Sequence, residues 1–126
     1  MYKAIKDNKI IAISDIDNEF LFLVKDEVIE DTEHTVADYK LCNTEYALNE
    51  DEKAVEQMKK EVRAVRNSYL EEYVDPKQLV LVWESLTEEK KANYTNYRQY
   101  LLDYPESSED WYKSNPMTYD EWIEEQ

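Results

Sequence analysis

Alternating apolar and polar positions dominate the first part of the chain. The stretch YKAIKDNKIIAIS alternates on either side of Asp7 and Asn8, which predicts a two-residue hairpin with Tyr2, Ala4, Ile10 and Ala12 among the paired positions. A third apolar run at residues 20–24, within EFLFLVKDEVIE, reads as a strand, and VADYKLCNTEYAL reads as two short strands around Asn43 and Thr44. Residues 1–48 therefore form a small, mostly antiparallel β lobe in this reading. The period then changes. Val55, Met58, Val62, Val65, Tyr69 and Tyr73 follow one another at spacings of three or four, a continuous helical stripe that ends at Asp75 and Pro76. Asn49 followed by Glu50, Asp51 and Glu52 supplies its N-terminal cap and acidic first turn.

Residues 79–83 are five consecutive apolar side chains that suit either a strand or a buried helical turn, and the preceding Pro76 favours the helix. Thr87 with Glu88 and Glu89 opens another helix running to about Asp103, whose face of Tyr94, Tyr97, Leu101 and Tyr104 can pack on the long stripe. Pro105 stops it. The acidic tail beyond carries Trp111 and Tyr112, and Thr118 with Glu121 fits a capping box for a last helical turn. The expected class is α+β: a β lobe over 1–48, a helical hairpin over 49–105, and an aromatic acidic tail over 106–126.

At 126 residues and 42% hydrophobic, the chain suits one or two small domains. Thirty acids against fifteen bases give a net charge of -15, which argues against direct binding to nucleic acid. The charge is uneven: nine acids and one base over residues 15–38, eight and nine over 53–98, and seven and one over 104–126. Distinct surfaces explain that better than uniform charging. No apolar run is long enough to span a bilayer, and the first residues lack the apolar stretch of a signal peptide, so a cytoplasmic protein without a membrane partner is expected. Cys42 is the only cysteine and reads as a small buried hydrophobe. There is no glycine, so left-handed turns fall to Asn or Asp, and the glycine-dependent phosphate loops, dinucleotide fingerprints and nucleophile elbows are absent.

Candidate chemistry is sparse. Asp15, Asp17, Glu19 and Asp26 occupy calcium-loop positions, but Phe20 stands where that loop requires glycine. Glu30, Asp31, Glu33, His34 and Asp38 cluster around the only histidine and read as a solvated acidic turn, since a transition-metal site wants more than one imidazole or thiolate. Glu71 and Glu72, like Glu88 and Glu89, are adjacent on helices and point apart, which makes poor acid and base partners. No catalytic residue, cofactor or metal site is expected. Arg63, Arg66 and Arg98 are candidates for bidentate pairing with carboxylates, or for a plain ion-paired helix face.

The stretches VRAVRNSYLEEY and LTEEKKANYTNYRQYLLDYPE resemble the phage tail assembly chaperones, also described as tail fibre assembly proteins. In that family an Arg-rich helix ending in Leu leads, through an acidic or Trp-containing turn, to a Leu-Thr start and a helix ending Tyr-Arg-Gln-x-Leu-x-Asp-x-Pro. Arg63, Arg66, Leu70, Leu86, Thr87, Tyr97, Arg98, Gln99, Leu101, Asp103 and Pro105 match it over about residues 62–105. The family's Asp-Trp is here Asp75 and Pro76, with Trp83 later. The resemblance implies a noncatalytic role in tail or tail fibre assembly, a tail or tail fibre protein as partner, and a place in the bacterial host cytoplasm or the virion tail. A homo-oligomer is compatible with it. The alternative is an acidic, nucleic-acid-mimicking inhibitor of a host defence nuclease, which would need carboxylates at phosphate-like intervals. Trp111, Tyr112, Tyr119 and Trp122 are expected to form a partner-binding aromatic patch with an acidic rim; the competing expectation folds the tail back over the helices.

Overall fold

A computed structural model describes residues 1–16 and 19–126. The fold is α+β, its strands end at Leu48, and the chain divides into two compact units, Met1–Gln57 and Met58–Gln126, with the division inside the first helix.

In the first unit, β1 (Tyr2–Lys6) and β2 (Lys9–Ser14) form the expected hairpin. Asp7 and Asn8 take φ of 53° and 63°, so both turn residues are left-handed, as the twist of a two-residue hairpin demands. Without glycine, short polar side chains carry that conformation. Ala4 pairs with Ala12 but Ile5 with Ile10, so a bulge lies between them. The third strand is not residues 20–24. It is β3 (Glu27–Glu30), antiparallel to β1, while residues 19–22 form turns. β3 lies at the sheet edge and is exposed along its length, so a run broken by acids suits it, and its terminal glutamates discourage further pairing. The expected hairpin around Asn43 and Thr44 is β4 (Tyr39–Cys42) and β5 (Glu45–Leu48), with Asn43 at φ 59°. β5 joins β2 through Ile10 and Tyr46, giving the order β3-β1-β2-β5-β4. Among the described residues of this unit, Ala4, Phe20, Cys42 and Ala54 are the buried apolar side chains.

Helix α1 (Glu52–Tyr69) is capped by Asp51, not Asn49. The Asp51 carboxylate accepts from Lys53 N at 2.9 Å and its carbonyl from Val55 N at 3.0 Å. Asn49 instead closes the strand region: its amide side chain donates to the Ala37 carbonyl, and its N–H to that of Asp38.

In the second unit, a π turn (Leu70–Val74) and a 3-10 turn containing Pro76 (Asp75–Gln78) continue the end of α1. The helices α2 (Val80–Ser85), α3 (Glu88–Asp103) and α4 (Tyr119–Glu124) follow. Thr87 caps α3 by accepting from Lys90 N, and Thr118 with Glu121 forms the expected capping box of α4. The core is Val74, Tyr97, Leu101 and Trp122, surrounded by Tyr69, Leu70, Tyr73, Tyr100, Met117, Tyr119 and Ile123. α3 therefore packs on the π turn and α4, and of the long stripe on α1 itself only Tyr69 joins this cluster. That corrects the pairing expected along the whole stripe. The π turn is the physical reason, because its wider spacing carries Val74, which lies off the three-four stripe, into full burial.

Candidate functional site

The tail is stitched to α3 by tyrosine hydroxyls. Tyr97 donates to the Met117 carbonyl at 2.9 Å, Tyr100 accepts from Met117 N at 2.8 Å, and Tyr104 donates to the Ser114 carbonyl at 2.7 Å. Trp111 and Trp122 are each only 7% exposed, Tyr119 stacks on Tyr94 at 4.5 Å, and Tyr112 is half-buried with the Lys59 ammonium over its ring. The exposed aromatic patch expected of Trp111, Tyr112, Tyr119 and Trp122 is thereby corrected. Each ring has a partner within its own unit, because aromatic surface of this size is more stable covered than wet. Burial raises the Tyr97 phenol well above its ordinary range and pushes Tyr119 up to about 12, so both remain neutral donors in the fold.

The acidic cluster around His34 is solvated at Glu30, Glu33 and Asp38, as expected, but Asp31 within it is not solvated. Asp31 is buried and accepts from Glu33 N at 2.9 Å and His34 N at 3.0 Å on one oxygen. Its other oxygen meets His34 Nδ1 at 2.9 Å, Tyr39 Oη at 3.0 Å and Lys3 Nζ at 3.2 Å. Desolvation works to raise this carboxyl, but the hydrogen bonds from His34, Glu33 and Lys3 outweigh it and hold it far below the usual carboxylate range. A carboxylate so fully engaged is a poor proton acceptor. It joins β1 to the chain leading into β4. The missed signal was local: an Asp accepting from N–H groups two and three residues on is an Asx-type turn, and Asp-Thr-Glu-His has that spacing. A cleft of about 580 Å³ beside it is lined by Lys3, His34, Tyr39, Tyr46 and Lys53 among others, and Lys53 is already paired with Glu45 at 2.9 Å. Among the described residues no group of three or more His, Cys, Asp or Glu side chains is placed to hold a metal ion. The calcium-like spacing falls partly on Asp17, which lies outside the described residues.

The family-motif residues separate. Tyr97 is core, and Pro105 sits in the 3-10 turn Tyr104–Glu106. Arg63 lies over the Trp111 ring at 5.1 Å, and Arg66 donates to the Asn67 side chain. Arg98 is exposed with no ion pair among the described residues, so none of the three arginines makes the carboxylate pair considered for it. Asp103 accepts from the Gln99 side chain at 2.9 Å, one turn away.

Arg98 and Gln99 on α3, with Thr95, line a groove of about 320 Å³ completed by Gln78 and Trp83. Residues 79–83 are helical as favoured, but α2 has no buried residue: Leu79, Val80 and Leu81 all face outward, Leu81 at 83% exposure. An unpaired arginine, a half-buried tryptophan and three exposed aliphatic side chains thus belong to one short stretch and the helix beside it. Arginine and tryptophan are the side chains that most often anchor protein interfaces. This is the candidate site. Sequence reading placed Arg98 within a motif but put Trp83 and its neighbours inside a core, because a run of five apolar residues looks the same buried or displayed.

Comparison with protein-family models, with curated proteins and with solved structures finds no match. Among the described residues no helix is long and apolar enough to cross a membrane.

Proposed function

We propose that this chain is a noncatalytic phage or prophage protein that assists tail or tail fibre assembly, as a chaperone or a minor tail component, by binding a tail protein through the α2 surface and the Arg98 groove. The observation that carries the reading is the outward display of Leu79, Val80 and Leu81, together with an unpaired Arg98 in a groove shared with Gln78 and Trp83, inside the segment whose sequence resembles the tail assembly chaperones. A helix that leaves its aliphatic face wet gains stability when a partner covers it. An inhibitor imitating nucleic acid has no use for an unpaired arginine sharing a groove with a tryptophan. The reading places the protein in the host cytoplasm during assembly.

The test is co-expression of the tagged chain with the neighbouring tail and tail fibre genes. A tail protein should copurify with it, and Leu81→Ser or Arg98→Ala should weaken that association while leaving the circular dichroism spectrum unchanged. Normal numbers of intact tails from a host lacking the gene would refute the assembly role. Purified particles distinguish a chaperone, absent from them, from a tail component, present in them.

A further inference from the structure

The apolar run at residues 20–24 was expected to be a strand and is instead a displayed loop. Leu23 N donates to the Phe20 carbonyl at 3.1 Å, closing a β-turn whose two corners are Leu21 and Phe22. Turn corners ordinarily go to Gly, Pro, Asn, Asp or Ser, which suit the backbone and the solvent. Here Leu21 is 70% exposed, Phe22 97% and Val24 73%.

The loop is built to hold them there. Phe20 is buried and anchors the turn from below. The Lys25 ammonium donates to the Phe20 and Leu23 carbonyls at 2.8 and 3.3 Å. Asp26 N donates to the Ile5 carbonyl at 2.7 Å, and the Asp26 carboxylate accepts from Asp7 N at 2.9 Å, which fixes the end of the loop to the β1–β2 hairpin. Side chains at such a turn that break the local rule, on a loop this well tied, point to a use outside the fold.

Charge decides what covers it. Residues 15–38 carry nine acids and a single base, and that base is Lys25, whose ammonium is turned inward onto carbonyls. Exposed Glu19, Asp26 and Glu27 flank the apolar corner. A second copy meeting this loop with its own would bring the same acids, and an anionic lipid surface would be repelled in the same way.

We propose that the loop from Glu19 to Glu27 is a docking surface for a protein segment that presents apolar side chains flanked by Lys or Arg, with Phe22 as the anchoring ring. The site lies outside the segment that resembles the tail assembly family and stands independently of that reading.

The probe is a random peptide library displayed on particles and selected against the full chain. Enriched peptides should place Lys or Arg beside Leu, Phe or Trp, bind more weakly as salt is raised, and lose more than about tenfold in affinity for Phe22→Ser. Leu21→Ser should weaken them too, whereas Leu81→Ser, on the α2 surface, should not. Both loop positions are solvated, so these variants should keep the native circular dichroism spectrum and melting temperature. The proposal is overturned if no peptide is enriched, if the enriched peptides bind Phe22→Ser as well as the parent chain, or if they lack basic residues. It is equally overturned if Phe22 instead drives binding to phosphatidylglycerol vesicles or self-association in sedimentation.

Discussion

Replacing Trp122 by alanine should remove a large share of the second unit's stability and lower its melting temperature steeply. The indole is 7% exposed, with its ring 5.6 Å from that of Tyr97 and 6.5 Å from that of Tyr100. A tryptophan buries roughly 150–250 Å² at about 25 cal/mol per Å², an upper bound of about 4–6 kcal/mol, and measured Trp-to-Ala losses run about 3–5 kcal/mol. A unit of this length has roughly 3–10 kcal/mol of stability in all. Alanine at 122 would therefore remove a third or more of it. With each kcal/mol shifting the midpoint by about 4–8 °C, the melting temperature should fall on the order of 15–30 °C.

The assay is thermal melting followed by circular dichroism, with near-ultraviolet signals reporting the tyrosine packing. Trp122→Phe retains a ring and should recover most of the loss. Tyr112→Ala, at a half-buried position, should cost much less than Trp122→Ala. A chain ending at Pro105 loses Trp111, Met117, Tyr119 and Trp122 together and should not form a cooperative helical unit. If Trp122→Ala melted within a few degrees of the parent chain, the tail would not complete this core, and the expectation of a detachable aromatic docking patch would return.

Three further outcomes follow from single groups. Asn8→Gly should be neutral or slightly stabilising and Asn8→Ile destabilising by about 1–2 kcal/mol in urea titrations, because Asn8 sits at φ 63°, where a branched side chain clashes with the backbone. Asp31 is held below its ordinary value of 3.8 in the fold, so its contribution is complete above that value and is lost as pH falls through the folded titration; Asp31→Asn should be less stable at neutral pH, with the difference shrinking in acid. Tyr97 and Tyr119 are raised, Tyr119 to about 12, so the unfolded chain ionises first: stability should be full below about pH 10 and decline as pH rises towards 12, with phenolate absorbance appearing alongside unfolding.

What could be read in the sequence was what neighbours along the chain decide. The β1–β2 hairpin, the Thr87 cap, the start and end of α3 and the Thr118 capping box rest on residues within four positions of one another, and each stands where it was expected. What depends on partners distant in the chain was not legible. Val74 enters the core where a π turn alters the helical register, and the Asp31 carboxylate is met by Lys3 from β1 and Tyr39 from β4. The tail could not be assigned to core or surface until Tyr97, Tyr100 and Tyr104 were seen holding it.

Apolar runs failed in a more instructive way. Hydrophobicity predicts burial only on average, and residues 20–24 and 79–83 were both expected inside on that ground. Mostly they are not. Phe20 is buried while Leu21 and Phe22 form the corners of a turn, and Leu79, Val80 and Leu81 face outward at the start of a helix that has no buried residue. In a chain with twice as many acids as bases, solubility is secured elsewhere, so exposed aliphatic and aromatic groups can be tolerated where they bind. The feature that separates these runs from core runs is their flanks. Ordinary strands are bounded by turn residues, whereas here the turn itself is apolar and the one base among residues 15–38, Lys25, is spent on the loop's own carbonyls. Both runs are therefore better explained as surfaces awaiting a partner than as imperfect core, and the two sets of serine variants, at Leu81 and at Phe22, test them separately.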